Sequence, residues 1–278
     1  DGSTWQKTTL AKGSSYSLPG VRDAEGYTFM GWSTKPMQSV SPQYEAEEKI
    51  TVNGNVDLYA VVFNRTTETD LTEDQLPQVD IYKYKQVIFV GDSRTEFMEN
   101  VLTGMGESAT KNVKFVCSAG KGLDWFTTTG WAQLYSIVQH DSNSILSKKT
   151  AVIFNFGVND LSKSADYAEY YNWIAPQLKS KGCELYFMSV NPVNRLMLPN
   201  AGRADRSEAA VRSFNQYMKA NLSSAYTYID MYSYLKSTGY SFASDHYGTG
   251  TVDDGLHYTT RTYKRIFAKC MDSLRVPA

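Results

Sequence analysis

Apolar and polar positions change their rhythm along this chain of 278 residues. Up to about residue 63 apolar residues alternate with polar ones in short bursts, as in Tyr27-Thr28-Phe29-Met30 and Val56-Asp57-Leu58-Tyr59-Ala60-Val61-Val62. Leu18-Pro19-Gly20, Glu25-Gly26 and Asn53-Gly54-Asn55 interrupt the bursts. Such alternation, punctuated by glycine and asparagine, predicts a small all-β unit. From residue 84 onward, short apolar runs at 86–90, 113–116, 151–156, 184–190 and 226–229 alternate with stretches of helical spacing. Those stretches lie near 95–102, 131–145, 165–181, 205–222 and 259–274. Apolar strands alternating with amphipathic helices predict a parallel sheet covered on both faces. The segment between fits neither pattern. It carries Glu68, Asp70, Glu73, Asp74 and Asp80 with Pro77, and reads as an acidic linker with one helical turn near 71–76. The expected division is a β-rich unit over 1–64, a linker over 65–83 and an α/β domain over 84–278.

Composition narrows the class more than it identifies it. Hydrophobic residues at 42% and charged residues at 21% are ordinary for a folded chain. A formal net charge of −1, with Lys and Arg scattered, leaves no footprint for nucleic acid or an anionic membrane. No apolar run approaches the roughly 18 residues of a membrane span. The chain opens on Asp1 with neither Met nor an apolar leader, as a trimmed or a mature form would. Cys117, Cys183 and Cys270 are far apart, show no metal-like spacing and read as small buried hydrophobes. No cofactor or metal ion is expected.

In a parallel sheet covered by helices, working residues gather at the carboxyl ends of the strands. Four short signals stand at such ends. Gly91-Asp92-Ser93-Arg94 follows the first run, where a serine in a tight turn projects its hydroxyl above the sheet beside helix N–H groups. Alone it is equally a helix cap. Ser118-Ala119-Gly120-Lys121-Gly122 follows the second run, and its glycines let N–H groups face a cleft. Gly157-Val158-Asn159-Asp160 follows the third, placing an amide that could stabilise a developing oxyanion. Alone, a left-handed turn or an Asp160 cap explains it as well. Late in the chain, Asp253-Asp254-Gly255-Leu256-His257 sets a carboxylate three residues before an imidazole. The intervening glycine lets Asp254 curl back to Nδ1, leaving Nε2 to take a proton from Ser93. His140, near a helix end, and His246, directly after Asp245, lack that arrangement.

The ordered set Gly91-Asp92-Ser93, Gly122, Gly157-x-Asn159-Asp160 and Asp254-x-x-His257 resembles the four blocks of the SGNH, or GDSL-type, serine hydrolases. The resemblance spans about residues 84–275. It implies a three-layer α/β/α, flavodoxin-like fold and metal-free hydrolysis of an acyl ester. It further implies Ser93 as nucleophile, His257 as general base and acid, and Asp254 as its orienter. The oxyanion donors would be the Ser93 and Gly122 N–H groups and the Asn159 side chain. Two departures stand out: Arg94 replaces the apolar residue of many members, and the second block lacks its usual Asn, leaving Gly120 and Gly122 as alternatives. The expected activity is removal of acetyl or similar short acyl groups, from small molecules or polysaccharide. Acyl transfer by the same residues, or a non-catalytic surface-binding role, is the alternative.

In the first unit, Phe29-x-Gly31-Trp32-Ser33 and Leu58-Tyr59-Ala60-Val61 are similar to the β-grasp-like repeat of internalin-type bacterial surface proteins. That implies a secreted or cell-surface bacterial protein, with an accessory unit contacting the cell surface or a glycan. Trp32 and Tyr59 are expected to fill its small core. The loop 191–204, with Pro192, Pro199 and Gly202, is the expected pocket wall.

Overall fold

The computed structural model describes residues 4–141, 148–198, 206–243 and 254–274. Strands β1 (Ser14–Ser17) and β3 (Lys49–Val52) pair antiparallel, as do β2 (Tyr27–Ser33) and β4 (Tyr59–Asn64). Leu18, Phe29, Trp32 and Ala46 form the small core of this unit. Trp32 is buried as expected, but Tyr59 is 43% exposed, because its turn of the strand faces outward at the edge. The β2–β4 ladder slips between Phe29 and Gly31, so Met30 is the extra residue of a bulge. Met30 joins Val61 and Phe63 in a second core shared with the larger domain.

Five parallel strands follow: β5 (Tyr84–Gly91), β6 (Val113–Cys117), β7 (Lys149–Asn155), β8 (Cys183–Met188) and β9 (Tyr226–Ile229). Their spatial order is β6-β5-β7-β8-β9, so the chain reverses direction of travel beside β5. Side chains alternate across the sheet and feed two cores. Ile88, Val90, Val152, Phe154 and Phe187 pack on α3 (Trp131–Asp141), α4 (Ser164–Ser180) and α5 (Glu208–Asn221). Val87, Phe89, Ala151, Ile153 and Met188 pack on α1 (Ser93–Met105), α6 (Met231–Thr238) and α7 (Thr260–Ser273). This is the three-layer α/β/α arrangement, with the sequence-predicted strands present. A short α2 (Leu123–Trp125) runs through a π turn, Phe126–Gly130, into α3, so that helix starts earlier than its periodicity indicated. Helix α6 had no counterpart in the sequence reading.

The acidic stretch 65–83 is a packed strap, not a free tether. It holds two 3-10 turns, Arg65–Thr67 and Glu73–Gln75, and buries Leu76 and Val79. Glu68 is buried too, accepting hydrogen bonds from Ser241 Oγ at 2.6 Å, from Arg265 Nη1 at 3.0 Å and from the Thr262 hydroxyl. A buried carboxylate is tolerated only when its lone pairs are filled in this way.

Candidate active site

Local chemistry places each group. Asp92 follows β5 and caps α1, its Oδ1 accepting the Arg94 N–H at 3.0 Å, which makes Ser93 the first residue of the helix. Burial pushes the Asp92 carboxyl up to about 6, against the Arg94 N–H and the charges of Arg94 and Arg206, which pull it down. Asp254 Oδ1 accepts the N–H groups of Leu256 at 2.8 Å and His257 at 2.7 Å, which folds the carboxylate back over its own turn. Oδ2 is then 2.6 Å from His257 Nδ1. The turn needs Gly255 at φ +67, and a Cβ there would lie 2.4 Å from the Asn194 carbonyl oxygen. His257 Nε2 stands 2.9 Å from Ser93 Oγ, and the Phe97 ring meets the imidazole edge-on with centroids 4.5 Å apart. All three polar side chains are buried.

The other two blocks meet each other. Asn159 Nδ2 donates to the Lys121 carbonyl at 2.7 Å, and Arg206 Nη2 donates to Asn159 Oδ1. Asp160 caps α2 and not its own segment: Oδ2 accepts the Leu123 N–H at 2.9 Å and Oδ1 the Tyr167 hydroxyl at 2.7 Å. Burial raises its carboxyl above the ordinary value. A Cβ on Gly122 would sit 2.3 Å from Asp160 Oδ2, so this backbone passes flush against the carboxylate. Gly120, at φ +70, has open space around it.

Arg94, noted in the sequence only as a departure, is fully enclosed. Nε donates to the Leu256 carbonyl at 3.0 Å, Nη1 to that of Asn191 at 2.9 Å and Nη2 to that of Pro192 at 2.8 Å. Its guanidinium carbon also lies 5.2 Å from the Tyr258 ring centroid. The serine helix, the histidine turn and the segment after β8 are thereby joined at one side chain. The described part of the expected pocket wall, 191–198, is largely buried beneath the Asp254–His257 turn, because its carbonyls are needed there. The remainder, 199–204, and His246 lie outside the described residues. A cleft of about 620 Å³ opens instead between α1 and α7, lined by Phe97, Val101, Met105, Tyr258 and Tyr263 among others. Cys183 and Cys270 are buried as expected, whereas Cys117 is half-buried with Sγ 3.3 Å from Glu99 Oε2. Among the described residues no helix is long and apolar enough to cross a membrane.

The profile of the GDSL-like lipase/acylhydrolase family matches residues 87–270, well over half of the chain. The chain belongs to this family. The acylhydrolase domain is preceded by a match to the Listeria-Bacteroides repeat domain over residues 1–61, a unit typical of surface proteins. Among curated proteins none matches this acylhydrolase in sequence. Its fold is similar to that of several solved structures. One is a Bacteroides fragilis protein assigned as an acylhydrolase, at 15% identity and TM-score 0.49 over 73% of this chain and 92% of that one. Another is an acetyl xylan esterase, at 12% identity and TM-score 0.45 over 68% and 99%. A third is the C-terminal catalytic domain of Streptococcus pneumoniae peptidoglycan O-acetyltransferase A, at 16% identity and TM-score 0.42 over 69% and 94%. The acylhydrolase is, by family, an esterase.

Proposed function

We propose that this esterase removes short acyl groups, acetyl foremost, from carbohydrate by way of an acyl-Ser93 intermediate. The observation that carries the reading is the unbroken hydrogen-bonded series from Asp254 through His257 to Ser93. Ser93 Oγ attacks the ester carbonyl carbon as its proton passes to His257 Nε2. Asp254 holds the imidazole in the tautomer that keeps Nε2 open and steadies the imidazolium that forms. The N–H groups of Ser93 and Gly122, with the second amide hydrogen of Asn159, stabilise the oxyanion. His257 then returns the proton to the departing sugar hydroxyl. Water, deprotonated by His257, cleaves the acyl-enzyme, and the carboxylic acid leaves with Ser93 restored.

The carbohydrate preference draws its support from the N-terminal repeat, a unit of surface proteins that would hold the enzyme among cell-wall or extracellular polysaccharides. The test is turnover of p-nitrophenyl acetate, acetylated xylan and O-acetylated peptidoglycan by the purified chain, with and without an acceptor sugar. Release of acetate that Ser93→Ala abolishes is the expected outcome. Wild-type turnover by Ser93→Ala, or no labelling of Ser93 by a fluorophosphonate, overturns the reading. Acetyl recovered on the acceptor sugar would make the enzyme a transferase.

A further inference from the structure

The histidine turn is held partly from outside its own domain. On one side, the Asn194 N–H donates to the Gly255 carbonyl at 2.8 Å, and the Asn194 carbonyl lies where a Gly255 Cβ would be. The same residue's side chain reaches the N-terminal unit. Its Nδ2 donates to the Val21 carbonyl at 3.0 Å and to Asp23 Oδ1 at 2.8 Å. Asp23 is itself fixed, by Arg65 Nη2 at 2.6 Å and by the Phe29 N–H at 3.0 Å. Around this point the two units interlock. Lys236 donates to the Met30 carbonyl and pairs with Glu45 at 2.8 Å, while Glu47 pairs with Arg195 at 3.2 Å and accepts the Ala209 N–H at 3.1 Å.

We infer that the N-terminal repeat unit positions the Asp254–His257 turn through Asn194, and so is a working part of the esterase site. The inference rests on the reading of Ser93 and His257 given above. Its physical basis is that Asn194 is braced on two sides by groups that are themselves fixed. Releasing the amide frees the backbone that lies against Gly255, and the imidazole follows two residues later. A displacement of about 1 Å at a catalytic group can cost up to about 10²-fold. Arg94, through the Leu256 carbonyl, and Ala243, which donates to the His257 carbonyl at 2.8 Å, still hold the far side of the turn. The expected loss is therefore nearer tenfold. Asn194 and Asp23 are positioning residues, since neither touches Ser93 or His257.

The experiment uses the full chain as Asp23→Ala, Asn194→Ala, Glu47→Gln and Ser93→Ala. Glu47→Gln weakens the same interface without touching Asn194. Each is measured for kcat and KM on p-nitrophenyl acetate, for the low-field proton resonance of the His257–Asp254 pair, and for melting. Asp23→Ala and Asn194→Ala should lower kcat about tenfold with KM nearly unchanged, and shift or broaden the resonance. Glu47→Gln should alter neither. Unchanged kcat and resonance in folded Asp23→Ala overturn the inference, as does an equal loss in Glu47→Gln. Should Asn194→Ala fail to fold, Asn194→Asp, of equal size but repelling Asp23, reads the same two quantities. Ser93→Ala separates the two levels: full turnover there sinks the site itself, whereas a dead Ser93→Ala beside a fully active Asp23→Ala sinks only the positioning role.

Discussion

Ser93, His257 and Asp254 are 5%, 1% and 0% exposed and already joined at 2.9 and 2.6 Å, whereas Gly122 and Asn159 stand half-open at the ends of β6 and β7. The half proposed to move the proton is closed by contacts within the protein. The half proposed to stabilise charge offers donors from separate loops and ties one Asn159 hydrogen to Lys121. The difference follows from chain geometry. Asp254 and His257 share one turn, so their contact is local, while Gly122 and Asn159 come from loops after separate strands and are brought together by the register of β6 and β7 through β5 and by the Asn159–Lys121 and Asp160–Leu123 hydrogen bonds. A buried, preformed pair needs no reorganisation when substrate arrives; exposed donors are solvated until the ester carbonyl displaces water.

Substitutions on the two halves should separate them. The largest effect is expected from Asp254→Asn, which keeps the shape but favours the wrong tautomer; kcat for p-nitrophenyl acetate should fall about 10⁴-fold. If it falls less than Asn159→Ala does, the ordering of the halves is reversed. Asn159→Ala removes one donor and should cost about 10²–10³ in kcat. Smaller again is Gly122→Ala. Its Cβ would strike Asp160, which is held by Leu123 and Tyr167, so the Gly122 amide must move; about tenfold in kcat is expected. Gly120→Ala meets no neighbour and should cost only strain, about 1 kcal/mol by denaturant melting, with kcat intact. A larger kcat loss in Gly120→Ala would transfer the donor role to Gly120.

One more change is expected in stability, and it depends on pH. Asp92 binds its proton more tightly folded, with its value raised from 3.8 to about 6, than it does unfolded. Ionising it in the folded state is therefore costly, and its contribution to stability is lost as pH rises from about 4 to 6. Asp92→Asn keeps a good helix cap and never ionises. It should gain about 3 kcal/mol over the wild type at pH 7 and nothing below about pH 4, read by denaturant melts at both values.

The meeting of Asp254, His257 and Ser93 was legible because its signals are short-range: an Asp three residues before a His, and a serine at the junction of an apolar run and a helix. Arg94 was visible only as an oddity. Its partners are main-chain carbonyls 97, 98 and 162 residues away, and a carbonyl leaves no mark in composition. Helix α6 escaped because it starts directly after β9 on an Asp230 cap and is eight residues long, too short for periodicity to register. The strap misled for the opposite reason. Acidic composition reads as solvated chain, yet Glu68 is compensated by Ser241, Thr262 and Arg265, none of them near it in sequence. Asn194 carried no signal either, since its donors act on a backbone turn and on a different unit.

Glu68 also bears on how the chain is made. Its bonds to Thr262 and Arg265 span 194 and 197 residues, so they tie the strap, which precedes the acylhydrolase domain, to that domain's last helix. On the ribosome, residue 68 emerges long before helix α7 has been translated. Until then its carboxylate must stay hydrated, and the apolar surface that Leu76 and Val79 will cover stays open. Closure of the strap is thus a late event in synthesis. A nascent chain stalled before residue 260 would dock the repeat unit through Asn194, Lys236 and Arg195 while the strap stayed open.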